Sequence, residues 1–401
     1  MITENPYRPG AGHTPPFLAG RETEMKEFKK LLKQKIILNN MVLTGLRGVG
    51  KTVLLEKFRP VAQSMNWMWV GTDLSESASV NEETLATRLL TDLSVITSSL
   101  IFRTDLVSRT GFNREKIIEN QFLTFENLCS IYNAIPGLQS DKLKGILEIV
   151  WESLKDQNVK GVIFAYDEAQ TISNHSKKEQ YPLSMLLDVF QSIQKKEIPF
   201  MLVLTGLPML FPQLVEARTF AERMFSVVFL SKLEDSESEQ AILIPLKKPK
   251  SKVIFTDESV ETIIDSSGGY PYFIQFICRE IFDVFLINIS AGKPLSVPIN
   301  EIILKLDRDF FAGRWAKATD RQRELLSIIA QLDNCGEEFN VQDVVEVSKE
   351  KLNKPFSSSH INQMLLTLSK MGLIYKNRHG KYSFAVPLLG KFILRQNNES
   401  N

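Results

Sequence analysis

The run Gly45-Leu-Arg-Gly-Val-Gly-Lys51-Thr52 places glycines, a lysine and a hydroxyl at the spacing G-x-x-x-x-G-K-[ST]. Glycines let a backbone curl until successive N–H groups point inward, which cradles phosphate oxygens. The lysine supplies a point charge to β- and γ-phosphates, and the following hydroxyl can ligate Mg2+. A helix starting there adds its N-terminal dipole. Gly45, Gly48, Val49, Gly50, Lys51, Thr52 and Val53 are therefore the expected nucleotide contacts. A second constellation is Val162-Ile-Phe-Ala-Tyr-Asp167-Glu168, an apolar stretch ending in two carboxylates. Asp167 can hold Mg2+ through water, and Glu168 can orient and deprotonate an attacking water. Strands often end in acids, so the upstream phosphate loop is what gives this pair its meaning. Thr205, near the end of Met201-Leu-Val-Leu-Thr-Gly-Leu-Pro208, can touch a γ-phosphate or the attacking water, or simply end a strand. Arg218 and Arg223 can each bring a guanidinium to a γ-phosphate, in cis or from a neighbouring subunit, or serve as solvated surface charges. Gly268-Gly-Tyr-Pro271 opens a long helix, either as a close backbone approach to a ligand or as an entry turn.

These groups need a scaffold. Met41–Thr44, Asn66–Val70, Val162–Tyr166, Met201–Thr205 and Val227–Leu230 read as strands. Residues 23–32, 53–58, 82–101 and much of 113–158 read as helices, broken by Pro136-Gly137. Apolar strands separated by helices imply a parallel sheet covered on both faces. The stretch 103–145 is longer than such a core needs, and the expectation there is an inserted helical hairpin. After Leu233 come helical segments at 236–244, 257–265 and 272–289, the pattern of a small helical domain. Beyond Arg314–Thr319 lie three further helices, 320–332, 340–352 and 357–371. Strands 373–376 and 381–384 follow, joined through His379-Gly380, and this is the outline of a winged helix. The expected divisions are 1–35, 36–233, 234–313, 314–395 and a frayed tail 396–401.

The 401 residues carry 48 Lys+Arg against 47 Asp+Glu, which excludes a globally basic nucleic-acid coat but leaves room for a local basic face. Hydrophobic residues at 43% suffice for real cores. No apolar run has bilayer length, and Met1–Pro6 lacks the basic-then-apolar pattern of a secretory signal. Cys129, Cys278 and Cys335 are too scattered for a metal cluster or disulfide framework. The expectation is a cytoplasmic protein with free thiols and no membrane partner. His13 and His175 read as solvated, Lys247-Lys248 and Lys250-Ser-Lys252 as a solvated basic linker or, alternatively, a nucleic-acid or acidic-partner patch, and Trp67 and Trp69 as core or sheet-edge packing.

In order and spacing, these motifs resemble those of AAA+/STAND P-loop ATPases, close to the origin-recognition-like and archaeal-type group. Phe17-Leu-Ala-Gly20-Arg21-Glu22 is similar to the box that precedes the phosphate loop there and lines the adenine pocket. The loop and Asp167-Glu168 resemble Walker A and Walker B, Leu204–Pro208 the sensor-1 strand, and Gly268–Pro271 the lid motif of STAND proteins. The resemblance covers roughly residues 16–290. It implies an α/β parallel-sheet P-loop core, a helical lid and a C-terminal winged helix. It also implies ATP and Mg2+ as cofactors, with Gly20, Arg21, Tyr7 and Pro271 near the nucleotide; Tyr7 to Leu18 would wrap the adenine. Glu168, Thr205 and Arg223 would be the catalytic set, with Thr52 and Asp167 on the metal. Ala221-Glu-Arg-Met-Phe225 resembles an arginine-finger context, which favours Arg223 over Arg218. No arginine lies within Gly268–Pro271, so hydrolysis should be slow; Arg279 lies further along that helix.

In the winged helix, Ser357 or Ser358 is the expected cap of the recognition helix, with Ser359, His360, Asn362 and Gln363 facing out. Such residues suit base edges, and Lys376, Arg378, His379 and Lys381 form a basic wing suited to phosphates. The helix itself carries only Lys370, and winged helices also bind proteins. The expected output is therefore double-stranded DNA or, alternatively, a partner protein, with assembly into a homo-oligomer left open.

Overall fold

The computed structural model describes every residue except 1–3, 11, 76, 78–79, 100, 111–112, 175–178, 248–252, 334, 379 and 400–401. The expectations for His175, for Lys248, Lys250 and Lys252, and for His379 fall outside the described residues. The chain divides into two compact units, one of residues 22–44 and 54–229, the other of 1–21, 45–53 and 230–401.

The first unit is a parallel sheet with its helices. In chain order it holds α1 (Glu22–Leu31), β1 (Asn40–Gly45), α2 (Lys51–Ser64), β2 (Trp67–Val70) and α3 (Glu82–Thr97). Then come β3 (Ile101–Thr110), β4 (Asn113–Phe122), α4 (Phe125–Ala134), α5 (Gln139–Leu154), β5 (Gly161–Tyr166) and α6 (Pro182–Lys195). It ends with β6 (Phe200–Gly206), α7 (Leu210–Ala217), α8 (Ala221–Met224) and β7 (Phe225–Leu230). The strand order is β2-β5-β6-β1-β7. Parallel registers run Trp67–Gly161, Val162–Phe200 and Met41–Val203. Strands β1, β5 and β6 are buried at every position, as apolar runs flanked on both faces require. On one side Phe164 meets Phe190 at 5.0 Å. Elsewhere Phe28 stacks on Phe58 at 4.1 Å and meets Trp69 edge-on. Both strand tryptophans are packing residues, and Trp67 Nε1 donates to the Leu32 carbonyl.

One expectation is overturned here. Instead of a helical hairpin, β3 and β4 form an antiparallel ribbon paired from Ile101–Phe122 to Thr110–Asn113. Its Glu, Lys and Gln residues read as helix formers one at a time, but ten consecutive cross-strand pairs satisfy the backbone instead. Within 103–145 the described helices are α4 and the first turns of α5, both beyond the ribbon.

The second unit continues with α9 (Asp235–Leu243), α10 (Asp257–Ser267), α11 (Pro271–Ala291), α12 (Ile299–Leu306), a π-helical turn at Asp307–Phe311, and α13 (Ala312–Trp315). It closes with α14 (Asp320–Ala330), β8 (Phe339–Asn340), α15 (Val341–Lys351), α16 (Ser358–Lys370), β9 (Ile374–Arg378), β10 (Lys381–Phe384) and α17 (Leu389–Glu399). Helices α14, α15 and α16 with an antiparallel sheet of order β8-β10-β9, its first strand between α14 and α15, make a winged-helix-like domain. Helix α17 extends past Gln396, where a frayed tail was expected. Phe392 stacks on Phe311 at 5.2 Å, and Arg395 holds Asp307 through two hydrogen bonds of 2.7 and 2.5 Å. One continuous apolar core thus joins the lid helices to the winged helix. The three cysteines are free, and no described helix is long and apolar enough to cross a membrane.

Candidate nucleotide-binding site

The phosphate loop, residues 45–53, follows β1 in the chain and runs into α2. Gly48 and Gly50 adopt φ of 81° and 92°, the left-handed region where a side chain would be strained. Among the described residues, chain neighbours aside, nothing lies within 4 Å of the point where a Cβ on Gly50 would stand, so the loop leaves room beside that backbone. Lys51 is 7% exposed, and its ammonium donates to the Gly45 and Leu46 carbonyls at 3.0 and 2.9 Å. The lysine therefore folds back over its own loop, where a phosphate would accept the same protons. Val49 is buried, while Thr52 and Val53 are half-buried.

Two expected neighbours brace this loop. Arg21, 5% exposed, donates to the Val49 carbonyl at 3.1 Å and to the Ser231 carbonyl at 2.9 Å. Gly20 backs onto the Glu237 carboxylate, 2.4 Å from where a Cβ would be. In the lid motif, Gly268 caps α10 and Pro271 takes the first turn of α11. The next residue, Tyr272, donates its backbone N–H to the Gly48 carbonyl at 3.1 Å, so the start of α11 is tied directly to the loop. Arg279 is exposed on the same helix.

Tyr7 differs from the adenine-wrapping expectation. It is 0% exposed, its hydroxyl donates to the Ile242 carbonyl at 2.5 Å, and its ring stacks on Phe255 at 6.0 Å. Burial pushes its phenol far above the ordinary value. With no surface left, the ring anchors the N-terminal segment in the lid core instead of facing a ligand.

The acidic constellation belongs to the sheet unit. Asp167, 3% exposed, accepts from the Thr205 hydroxyl and, at 2.8 Å, from the Glu168 backbone N–H. Glu168 sits at φ 51°, left-handed backbone that a non-glycine residue occupies only under constraint. Its carboxylate accepts from Gln170, whose carbonyl oxygen accepts from the Leu207 N–H at 3.0 Å. A Cβ on Gly206 would lie 2.4 Å from that oxygen and 2.9 Å from Leu210 Cδ2, so a larger residue there would displace the Gln170 amide or the Leu210 side chain. Sequence reasoning missed Gln170 and also Asp73, which bridges to Asp167 through the backbone. Burial, then the charges of Asp167 and Glu168, hold the Asp73 carboxyl above its ordinary value. Its only sequence signal was its place just past β2. Among the described residues no three acids, histidines or cysteines could hold a metal unaided.

The two arginines separate cleanly. Arg218 forks onto Asp188 at 2.8 and 2.6 Å, an interaction that raises its pKa, and is thereby committed within the sheet unit. Arg223 is exposed on α8.

In the winged helix, Ser357 caps α16 by accepting from the His360 N–H at 3.3 Å. Ile361, Met364, Leu365 and Leu368 are buried, while Ser359, His360, Asn362 and Gln363 are exposed as expected. Met371 is half-buried. Lys376 is exposed and Lys381 half-buried on the wing, and Arg378 ends β9.

One family's sequence profile, described only as a domain of unknown function (DUF8462), matches residues 308–393. No curated protein matches the chain. Among solved structures, the chain is similar to the Walker-type ATPase PABY2304 of Pyrococcus abyssi at a TM-score of 0.60 and 15% identity, covering 94% of this chain and 96% of that one. It is similar to the Aeropyrum pernix ORC2 protein in ADPNP–ADP complexes at 0.53 and 13% identity, covering 98% of each chain. The ADP form of that protein gives 0.53 and 13% identity, over 97% of this chain and 96% of the other. At these identities the likeness is one of architecture: the chain has the fold of origin-recognition-type AAA+ ATPases, a P-loop α/β sheet with a helical lid and a winged-helix-like C-terminal domain.

Proposed function

We propose that this protein is an ATPase in which ATP binding and slow hydrolysis change the arrangement or assembly of its domains, with the winged helix carrying the output to double-stranded DNA. The observation that carries the reading is the phosphate loop: left-handed Gly48 and Gly50, an inward-folded Lys51, and the start of α11 bonded to the Gly48 carbonyl. A phosphate taking the Lys51 protons would act on a segment already joined to the lid. The ATPase and ADPNP-bound neighbours of the same fold support this direction. Thr52 and Asp167 are the proposed Mg2+ ligands; the ion supplies positive charge to the phosphate oxygens. Glu168 takes the proton of the attacking water, Thr205 orders the Asp167 carboxylate, and Arg223 completes a site, in a neighbouring copy if the protein assembles. The absence of arginine from Gly268–Pro271 favours slow turnover.

A second reading directs the winged helix to a protein. Helix α16 carries only Lys370 as a basic residue, and Leu366 on it is 65% exposed. Fluorescence anisotropy of duplex DNA with ATP–Mg2+, with ADP and without nucleotide, over a salt series, separates the two. DNA contact predicts ATP-dependent affinity that falls with salt and is weakened by Lys381→Ala, because phosphate contacts release counterions. No binding at low salt in any nucleotide state would refute the DNA output and leave the protein-directed switch.

A further inference from the structure

Gln170 joins the turn after β6 to the carboxylate of Glu168. Past Glu168 the chain makes one short helical turn, Ala169–Thr171. The Thr171 N–H donates to the Glu168 carbonyl at 2.9 Å, and the Ile172 N–H to the Ala169 carbonyl at 3.1 Å. Ala169 and Ile172 are both 0% exposed, so the backbone on either side of Gln170 is anchored in the core of the sheet unit. The Gln170 amide uses both of its ends. Its nitrogen donates to the Glu168 carboxylate, and its oxygen accepts from the Leu207 N–H at 3.0 Å. A carboxylate only accepts and a backbone N–H only donates, so these partners fix which way the amide faces. Among the described residues Gln170 is the one hydrogen-bond donor to the Glu168 carboxylate. The space for the amide lies against Gly206, where a side chain would press on it. Thr205, one residue earlier, donates its hydroxyl to Asp167. The short segment Thr205–Leu207 therefore reaches Asp167 directly and Glu168 through Gln170.

We propose that Gln170 is a positioning residue for hydrolysis, which holds the Glu168 carboxylate in register with the turn after β6. The proposal rests on the reading of this protein as an ATPase with Glu168 as its general base. Glu168 is half-buried on left-handed backbone, and without Gln170 its carboxylate has no described donor to select one rotamer. A base displaced by about 1 Å loses up to about a hundredfold in rate, so the restraint matters for turnover and not for binding. Glutamine is the side chain that meets both needs. Glutamate in its place could still accept from Leu207 but could not, as a carboxylate, donate to Glu168, and asparagine is one methylene shorter.

The test measures ATP affinity and single-turnover hydrolysis in the full-length protein. It compares wild type, Gln170→Ala, Gln170→Glu, Glu168→Gln and the double variant Gln170→Ala/Glu168→Gln. Gln170→Ala should hydrolyse ATP about tenfold more slowly, with ATP affinity within about twofold of wild type. Gln170→Glu should be at least as slow, because it keeps the Leu207 bond and sets a carboxylate against Glu168. It also carries the test if Gln170→Ala misfolds. In the Glu168→Gln background, Gln170→Ala should add no more than about a twofold loss, since its effect passes through the residue already changed. A purely structural role would slow both backgrounds alike, and that result overturns the proposal. Hydrolysis by Gln170→Ala and Gln170→Glu at or above the wild-type rate also overturns it. Glu168→Gln turning over as fast as wild type would instead refute the general base, and wild type binding no ATP would refute the nucleotide reading beneath both.

Discussion

Replacing Arg21 by alanine should destabilise the protein and slacken the phosphate loop at once. The guanidinium is 5% exposed and donates to Val49 O at 3.1 Å, Ser231 O at 2.9 Å and Gly20 O at 3.3 Å. A hydrogen bond to a charged group contributes about 1.5–3 kcal/mol. Ser231 is at the surface, so water replaces the arginine there in the variant. The Val49 bond is buried, and its carbonyl would be left unpaired. The expected loss of unfolding free energy is therefore about 3 kcal/mol, nearer one full bond than the sum of all three. Val49 lies between the two left-handed glycines, so a loosened carbonyl there changes the loop's curl. Nucleotide affinity should fall about tenfold, or about 1.4 kcal/mol. Arg21→Lys should be intermediate, since one ammonium lacks the fork that spans two acceptors. Urea denaturation and a nucleotide titration read both effects. If Arg21→Ala leaves both the midpoint and the affinity at wild-type values, the reasoning that this arginine braces the loop is wrong.

Asp73 gives a pH prediction. An acid whose folded value is raised favours the native state below its unfolded value, and that contribution is lost as pH rises through the folded value. Asp73→Asn should therefore raise the urea midpoint at pH 7 without divalent cations, with the gain vanishing near pH 3; a lowered midpoint at pH 7 would contradict this. The arginines give a contrast. Arg218→Ala should cost about 1 kcal/mol, because its ion pair is part-exposed, while leaving turnover intact. Arg223→Ala should leave the unfolding curve in place and reduce ATP hydrolysis at least about tenfold at concentrations where the protein assembles. Equal turnover in both variants would remove Arg223 from the catalytic set.

Local, contiguous signals were legible. The phosphate loop is a single run of eight residues, and β1, β5 and β6 are uninterrupted apolar stretches because both faces of a parallel sheet are covered. The capped helix Ser358–Lys370 and the hairpin around Gly380 were equally readable, since turn and cap chemistry sits in the sequence itself. What failed depended on distant partners. The β3–β4 ribbon is set by its register and not by the propensity of its Glu and Lys residues. Tyr7 is buried only because Phe255 and Phe282, far along the chain, surround it. Helix α17 exists because Phe392 and Arg395 find Phe311 and Asp307.

The most direct test of the central claim measures ATP binding and hydrolysis side by side in wild type, Lys51→Ala and Glu168→Gln. Wild type should bind ATP and hydrolyse it slowly. Lys51→Ala should bind no nucleotide, because its ammonium is the charge that folds over the loop. Glu168→Gln should bind ATP as wild type does and turn over at least about a hundredfold more slowly, the usual loss on removing a general base. Full ATP affinity in Lys51→Ala, with undiminished hydrolysis in Glu168→Gln, would contradict the account.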